Sequence, residues 1–135
     1  MTDRKKVAIL GSTGSIGRQA LDVIRQFPDR WEVVALAAGR NHELLAAQID
    51  EFRPSWASWE GAASGALADA MEQARSRRSD TVEMVLACDI PLVGTAGAVG
   101  LAPTLTALRA GKPVAIANKE VLVMAGHVVR RAMET

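Results

Sequence analysis

The sequence predicts an α/β fold in which parallel strands form a doubly wound sheet. Short apolar runs, rich in valine, isoleucine and alanine, alternate along the chain with segments of helical periodicity. This alternation is typical of successive βαβ units, which build a parallel sheet with helices on both faces. The chain of 135 residues also has the length of one domain. We therefore expect a single α/β domain over residues 1–135.

The first half of the chain predicts two strands and two helices. Residues 7–10 and 33–38 are apolar runs that glycine follows directly, as expected of strands buried on both faces. Helical periodicity covers residues 15–27 and 42–52, and Asn41 is a suitable N-cap for the second helix. The predicted inner faces carry Ile16, Ala20, Val23, Ile24 and Phe27 in the first helix, and Leu44, Leu45, Ile49 and Phe52 in the second.

The second half of the chain predicts three more strands. Residues 55–59 alternate small and aromatic side chains like a short strand, and residues 62–78 predict a helix with a basic end. Residues 82–93 predict a strand, although Pro91 is unusual in the middle of a sheet. The remaining predicted elements are a helix over 101–110 that Gly111 ends, a strand over 113–117 and a helix over 121–133.

The composition argues against several kinds of partner. Sixteen Lys and Arg residues against fifteen Asp and Glu residues leave no large excess of positive charge for binding nucleic acid. Residues 90–108 carry no charge, but the prolines and glycines among them would break a membrane-spanning helix. The single cysteine, Cys88, cannot form an internal disulfide, which favours the reducing cytoplasm. We expect a cytoplasmic protein that binds neither nucleic acid nor membrane.

The loop that follows the first predicted strand carries three glycines in a GxxGxxG spacing. Gly11, Gly14 and Gly17 open the first predicted helix, and such glycines let the backbone approach a pyrophosphate at a helix N-terminus. A purely structural turn between strand and helix is the alternative. The loop predicts a Rossmann-like domain that binds a dinucleotide. The expected phosphate contacts come from Thr13, Gly14, Ser15 and Ile16.

The end of the second predicted strand indicates which dinucleotide binds. NAD-preferring domains usually carry an acidic residue there, which binds the ribose hydroxyls. This chain instead reads Gly39-Arg40-Asn41, and a cation with an amide suits the 2′-phosphate of NADP. The alternative is that Arg40 is a solvated turn residue and that Asn41 only caps the next helix. We expect NADP(H).

Three polar residues follow the last predicted strand. Asn118, Lys119 and Glu120 come directly after residues 113–117, and parallel sheets bind ligands at the carboxyl ends of their strands. Lys119 is placed to hold a substrate anion, and Asn118 and Glu120 to contact the nicotinamide end. An ordinary strand-to-helix turn capped by Asn118 explains the spacing equally well.

Five segments together resemble one family, 1-deoxy-D-xylulose 5-phosphate reductoisomerase. They are residues 9–17, 34–41, 101–105, 110–112 and 117–120, and the resemblance extends over nearly the whole chain. The resemblance is weaker in the segment 94–101, which is longer than the family's loop. It implies NADPH contacts at Thr13, Gly14, Ser15, Ile16, Gly39, Arg40, Asn41, Asn118 and Glu120, and a substrate-binding lysine at Lys119.

The resemblance also implies a reaction and a metal. The family rearranges 1-deoxy-D-xylulose 5-phosphate and reduces it with NADPH to 2-C-methyl-D-erythritol 4-phosphate. Its Mg²⁺ or Mn²⁺ is held by carboxylates of a following catalytic domain. We expect this chain to include neither that catalytic domain nor the family's C-terminal domain. We therefore expect no metal ligands here and no activity of the chain alone. Loss of a partner domain would expose apolar surface, so association into a homodimer is a further hypothesis. The alternatives are another NADP-dependent dehydrogenase and a non-catalytic NADP-binding module.

Several other reactive or aromatic residues have simpler structural explanations. His42 is expected to start a helix, and Cys88 to be a small buried hydrophobe. Trp56 and Trp59 are expected at the sheet edge or an interface. The cluster Arg75, Arg77 and Arg78 is expected to be a solvated helix end.

Overall fold

One parallel sheet of six strands organises residues 3–95 and 97–117, which the computed structural model describes. Every pair of neighbouring strands is parallel. The strand order is β4-β3-β2-β1-β5-β6, so the predicted parallel sheet is confirmed. The strands are β1 (Lys5–Leu10), β2 (Trp31–Ala37), β3 (Trp56–Ser58), β4 (Arg77–Arg78), β5 (Ile90–Val93) and β6 (Ala115–Ile116).

Helices cover both faces of the sheet, as a doubly wound fold requires. The described helices are α1 (Ser15–Gln26), α2 (His42–Phe52), α3 (Gly65–Ala74), α4 (Thr81–Ala87) and α5 (Leu101–Arg109), with a 3₁₀ helix at Gly97–Gly100 before α5. The first three helices bury their apolar side chains in one core cluster. The last two pack into a second cluster on the opposite face.

The alternation of side chains along β1 divides the core between these two faces. Val7 and Ile9 belong to the cluster under α1 to α3, whereas Ala8 and Leu10 belong to the cluster under α4 and α5. All four are buried, as expected of a central strand. The register between β1 and β2 shifts after Val7, which leaves Val34 as an extra residue in β2. This bulge turns the rest of β2 to the opposite alternation.

Helix α1 buries a different face from the predicted one. Its buried residues are Gly17, Leu21 and Ile24, whereas Val23 and Phe27 are 52% and 41% exposed. The prediction of Ile16, Val23 and Phe27 as core residues was therefore wrong, since Ile16 is also 39% exposed. The cause is the close packing of Gly17 against the β1–α1 loop, which sets the rotation of the helix about its axis.

The segment predicted as one long helix and one long strand contains four shorter elements. Helix α3 ends at Ala74 because Arg75 adopts a left-handed conformation with φ of 56°, and residues 77–78 then form β4 at the sheet edge. Residues 81–87 form α4, whose first turn is capped by the Asp80 carboxylate accepting from the Glu83 amide at 2.8 Å. The predicted helix over 62–78 is confirmed only over residues 65–74, and the predicted strand over 82–93 only over residues 90–93. Strand β4 and helix α4 were not predicted, because such short elements leave little periodicity.

Pro91 lies within the sheet, where proline removes one ladder hydrogen bond. The Gly94 amide donates to the Leu10 carbonyl of β1, and the Ala117 amide donates to the Val93 carbonyl on the β6 side. Strand alternation therefore directs the nitrogen of Pro91 towards β6, where pairing begins only at Leu92. The missing N–H thus falls where no strand partner is present.

The predicted end of α5 is confirmed, and so is the start of α2 at His42. Gly111 has φ of +76°, and its amide donates to the Leu108 carbonyl, while the Lys112 amide donates to the Ala107 carbonyl. This is the pattern of a glycine-terminated helix. The uncharged run 90–108 forms a strand, a 3₁₀ helix and α5, and no helix of the described segments is long and apolar enough to cross a membrane. The predicted helix 121–133 lies outside the described residues.

Candidate functional site

The strand order reverses between β1 and β5, which makes the carboxyl ends of these two strands a topological switch point, the position of the ligand crevice in open α/β sheets. The chain leaves β1 for α1 on one face of the sheet and leaves β5 for α5 on the other. Ligands of open α/β sheets bind at such a topological switch point. Two loops meet there so closely that a Cβ on Gly11 would lie 2.8 Å from the carbonyl carbon of Gly94. Gly11 also has φ of +90°, which favours glycine.

The three glycines of the loop differ in what the fold requires of them. A Cβ on Gly17 would lie 2.2 Å from the carbonyl oxygen of Gly11, so this glycine permits the close contact of helix and loop. Gly14 has an ordinary φ of −80°, and its nearest neighbour would be the Gly11 oxygen at 3.5 Å. The folded chain itself therefore leaves room for a side chain at Gly14.

The first turn of α1 has none of the side-chain capping seen at three other described helices. Gly14 is its N-cap, no side chain accepts from the first amides, and the first turn contains no acidic residue. By contrast, Asn41, Ser64 and Asp80 cap α2, α3 and α4 through their side chains. Helix α5, with Gly100 as its N-cap, shares the absence of a side-chain cap. Ser15 is exposed at the start of α1. A helix N-terminus of this kind offers backbone donors and a positive dipole end to an anion.

Hydrogen bonds to β2 and to the buried side chain of Gln48 in α2 hold the loop that follows β1. The amides of Gly11 and Ser12 both donate to the Ala37 carbonyl at 2.8 Å. The side chain of Gln48, only 4% exposed, donates to the Ser12 carbonyl at 2.9 Å. Sequence reasoning missed Gln48, although a glutamine between the inward Leu45 and Ile49 of α2 is a detectable departure from an apolar stripe.

The end of β2 places Arg40 beside a carboxylate from another loop. Asn41 caps α2, as predicted, by accepting from the Leu44 amide at 3.2 Å. The Arg40 side chain is 90% exposed, and its Nε lies 3.3 Å from Oε2 of Glu60. Glu60 follows β3, so the sequence around Gly39 held no indication of it.

The loop that carries Glu60 is held by Trp59 and Arg78. Trp59 is 9% exposed and belongs to the core cluster under α1 to α3, so its prediction as an edge or interface residue was wrong. The Arg78 guanidinium lies 4.3 Å from the centroid of the Trp59 ring, and it donates to the carbonyls of Trp59 and Gly61 at 3.0 and 3.1 Å. Arg78, which lies in β4, therefore stabilises the loop around residues 59–61. Its prediction as part of a solvated helix end was wrong.

The described candidate residues form two groups on neighbouring strands. Thr13, Gly14, Ser15 and Ile16 surround the start of α1, and Gly39, Arg40 and Asn41 lie in the loop between the adjacent β2 and α2. The candidates Asn118, Lys119 and Glu120 lie outside the described residues. They follow Ala117, whose amide binds the Val93 carbonyl on the other side of the switch point.

Other features of the described chain lie away from this crevice. Burial raises the pKa of the Cys88 thiol, which is 1% exposed in the core as predicted. A cavity of about 860 Å³ lies at the opposite, amino edge of the sheet, lined by Arg4, Trp31, Phe52 and Trp56 among others. Within residues 3–95 and 97–117, no three His, Cys, Asp or Glu side chains cluster as metal ligands would.

Comparison with known proteins gives one consistent family. A family model described as 1-deoxy-D-xylulose 5-phosphate reductoisomerase matches residues 7–126. The 1-deoxy-D-xylulose 5-phosphate reductoisomerase of Anaeromyxobacter sp. strain K is 47% identical over 131 residues, which cover 93% of this chain and 34% of that protein. The chain therefore spans about a third of the length of the curated relatives that it matches.

Solved structures of similar fold include two complexes with NADPH. One is a DOX-P reductoisomerase with NADPH, fosmidomycin and magnesium, which is 35% identical with a TM-score of 0.86 over 96% of this chain and 34% of that one. The other is the Zymomonas mobilis enzyme with NADPH, 34% identical with a TM-score of 0.86 over 99% of this chain and 37% of that one.

Proposed function

The chain belongs to the 1-deoxy-D-xylulose 5-phosphate reductoisomerase family, and we propose that it is the NADPH-binding part of such an enzyme. Support comes from the fold similarity to two reductoisomerases solved with NADPH. The switch point between β1 and β5 is also the expected position for a dinucleotide. Family membership favours this proposal over an unrelated NADP-dependent dehydrogenase.

The observation that carries the proposal is the open position of Gly14. Gly11 and Gly17 are required by contacts within the chain, whereas a Cβ at Gly14 would meet only ordinary contact. A glycine that folding does not require, at an uncapped helix N-terminus, is explained by a ligand whose phosphates approach the backbone closely. We assign the pyrophosphate to the amides of Ser15 and Ile16, with Thr13 and the open Cα of Gly14 beside them. The Gly14 amide itself donates to the Gly11 carbonyl at 3.2 Å, so Gly14 contributes a close approach of the backbone to the ligand.

The proposed orientation places the adenosine end of NADPH over β2. Arg40 is exposed and free to reach a 2′-phosphate by changing rotamer, and Gly39 has no atom within 4 Å of its missing side chain. Arginine pairs well with phosphate because its guanidinium presents several donors in one plane. In the proposed complex, Asn41 keeps its capping role and presents its amide to the same site.

The nicotinamide and substrate roles remain part of the proposal. We assign Asn118 and Glu120 to the nicotinamide end and Lys119 to the phosphate of a small ketose phosphate, as the family resemblance implies. The family's reaction and its divalent metal also belong to the proposal, since the chain spans about a third of its relatives, and so does association of the chain into a homodimer. No cluster of metal ligands is present among the described residues, so we assign no metal-dependent step to them. We also propose a cytoplasmic location and no turnover by this chain alone.

Calorimetric titration with NADPH tests the proposal, with Gly14→Ala as the informative variant. The added methyl group occupies the surface that we assign to the pyrophosphate. We therefore expect NADPH affinity to fall at least roughly tenfold, or about 1.4 kcal/mol. The free energy of unfolding should change by no more than about 1 kcal/mol, the usual scale for an N-cap exchange.

Gly65→Ala is the matched control. Gly65 begins α3 and is exposed, and a methyl group added to it would have no neighbouring atom within 4 Å. This variant should bind NADPH like the wild type. Absence of NADPH binding by the wild-type chain would contradict the proposed function, and equal binding by Gly14→Ala would contradict the assignment of the phosphate site.

A further inference from the structure

We propose that Glu60 is a specificity-determining residue that narrows the preference for a 2′-phosphorylated dinucleotide over its 2′-hydroxyl counterpart. The inference rests on the proposed function, since it concerns the adenosine end of the same site. It starts from a contact in the folded chain that could not be predicted from the sequence around β2. A carboxylate from the loop after β3 lies 3.3 Å from the guanidinium that we assign to the 2′-phosphate.

The backbone of Glu60 is fixed next to the end of β2. Its amide donates to the Gly39 carbonyl at 3.1 Å, and its carbonyl lies 2.8 Å from Nε2 of His42. Arg78 binds the carbonyls on either side of Glu60, those of Trp59 and Gly61. The fixed backbone therefore keeps the Glu60 side chain in the neighbourhood of the loop that carries Arg40, while both side chains can still change rotamer.

A phosphate held by Arg40 would bring a second negative charge close to Glu60. Like charges a few ångströms apart repel each other, although exposure to solvent reduces the effect. Glu60 also occupies the Nε donor of Arg40, which the phosphate would otherwise be able to use. Both effects weaken binding of a 2′-phosphate.

A ribose with a free 2′-hydroxyl meets the opposite situation. Carboxylates accept hydrogen bonds from ribose hydroxyls, and NAD-binding domains use an acidic residue at the end of the second strand for this contact. Glu60 supplies a carboxylate beside Arg40 from the loop after β3. It is therefore positioned to support the 2′-hydroxyl form while it opposes the 2′-phosphate form.

The alternative role for Glu60 is to orient Arg40 towards the phosphate. The two side chains are 90% and 64% exposed and share one contact at 3.3 Å, so the pair restrains the arginine only weakly. The two roles differ in sign. Loss of the carboxylate raises affinity for the 2′-phosphate if Glu60 competes and lowers it if Glu60 orients.

The test is the ratio of dissociation constants for NADH and NADPH, measured by calorimetry with the full chain. We expect Glu60→Gln to bind NADPH roughly threefold more tightly and NADH no more tightly than the wild type. The ratio should then rise at least roughly threefold at low salt, and the gain should shrink at high salt, where exposed charges are screened. Titration with 2′,5′-ADP against ADP should reproduce the change, because these probes lack the nicotinamide end.

Glu72→Gln is the matched control, since it removes the same charge from an exposed position on α3 and should leave the ratio unchanged. An unchanged or lower ratio in Glu60→Gln would overturn the inference while leaving the proposed function intact. If the wild-type chain binds neither NADPH nor 2′,5′-ADP, both the inference and the proposed function fail.

Discussion

The two loops of the candidate site, residues 11–17 after β1 and residues 39–41 after β2, are built by different physical means. The first is held by backbone packing: two of its glycines contact neighbouring backbone at distances that exclude a Cβ, and the buried Gln48 anchors it from below. The second ends in Arg40, which is 90% exposed and touches Glu60 through one ion pair.

Because of this difference, we expect one loop to fix the position of the bound ligand and the other to select between related ligands. Close packing is sensitive to a single added carbon atom, because nearby backbone cannot move aside without disturbing the sheet. Exposed charges contribute little to folding and are screened by salt, but they distinguish a phosphate from a hydroxyl. We therefore expect the loop 11–17 to act as a rigid anion site and the loop 39–41 as an adjustable selectivity site.

The largest expected effect is on the packed loop, from Gly17→Ala. Its methyl group would lie 2.2 Å from the Gly11 carbonyl oxygen, so helix α1 must shift away from the loop. We expect the free energy of unfolding, measured by urea denaturation, to fall by about 3 kcal/mol or more. If the free energy of unfolding falls by less than about 1 kcal/mol, the contact relaxes easily. The loop 11–17 would then not be the rigidly packed one of the two.

An intermediate effect, on affinity alone, is expected from Arg40→Ala. NADPH affinity should fall roughly tenfold, because a charge-assisted contact with the 2′-phosphate is lost. NADH affinity should hardly change, and the free energy of unfolding should stay within about 0.5 kcal/mol of the wild type, as expected for one exposed ion pair. Calorimetric titration with both cofactors and urea denaturation check these outcomes. Equal losses of affinity for NADPH and NADH would show that Arg40 does not distinguish the two cofactors.

The smallest expected effect is a loss of stability at an ion pair outside both loops. It measures how much an exposed ion pair contributes to the folding of this chain. Arg25 on α1 donates to Glu51 on α2 at 2.5 and 2.7 Å, and this hydrogen bonding holds the pKa of Glu51 below its usual range, although burial opposes it. The pair therefore stabilises the fold above the usual pKa of a glutamate, and this contribution is lost as the pH falls through the lowered value.

Glu51→Gln should accordingly destabilise the chain by less than about 1 kcal/mol near neutral pH, because the two side chains are 41% and 44% exposed. The difference from the wild type should shrink as the pH falls through the lowered pKa of Glu51. Urea denaturation at neutral pH and at about pH 3 measures it. A difference that persists in acid would show that packing, and not charge, accounts for the pair.

Local chemistry made parts of this fold predictable. The bounds of α2 agree with the sequence prediction because Asn41 caps its first turn and Pro54 follows its end. The end of α5 was predictable because Gly111 supplies the positive φ that stops it. The segment 62–93 was mispredicted because the left-handed Arg75 ends α3 without a glycine, and α4 has only seven residues.

The sequence by itself determined the order of the elements from β1 to β3, the GxxGxxG loop after β1 and the cationic Gly39-Arg40-Asn41 after β2. Only the tertiary structure decided which face of α1 is buried, which residue anchors the loop and which carboxylate meets Arg40. Gln48 lies 36 positions from Ser12, and Glu60 lies 20 positions from Arg40. The physical reason is that periodicity and capping act within a few residues of chain, whereas these contacts arise from strands and helices that packing brings together.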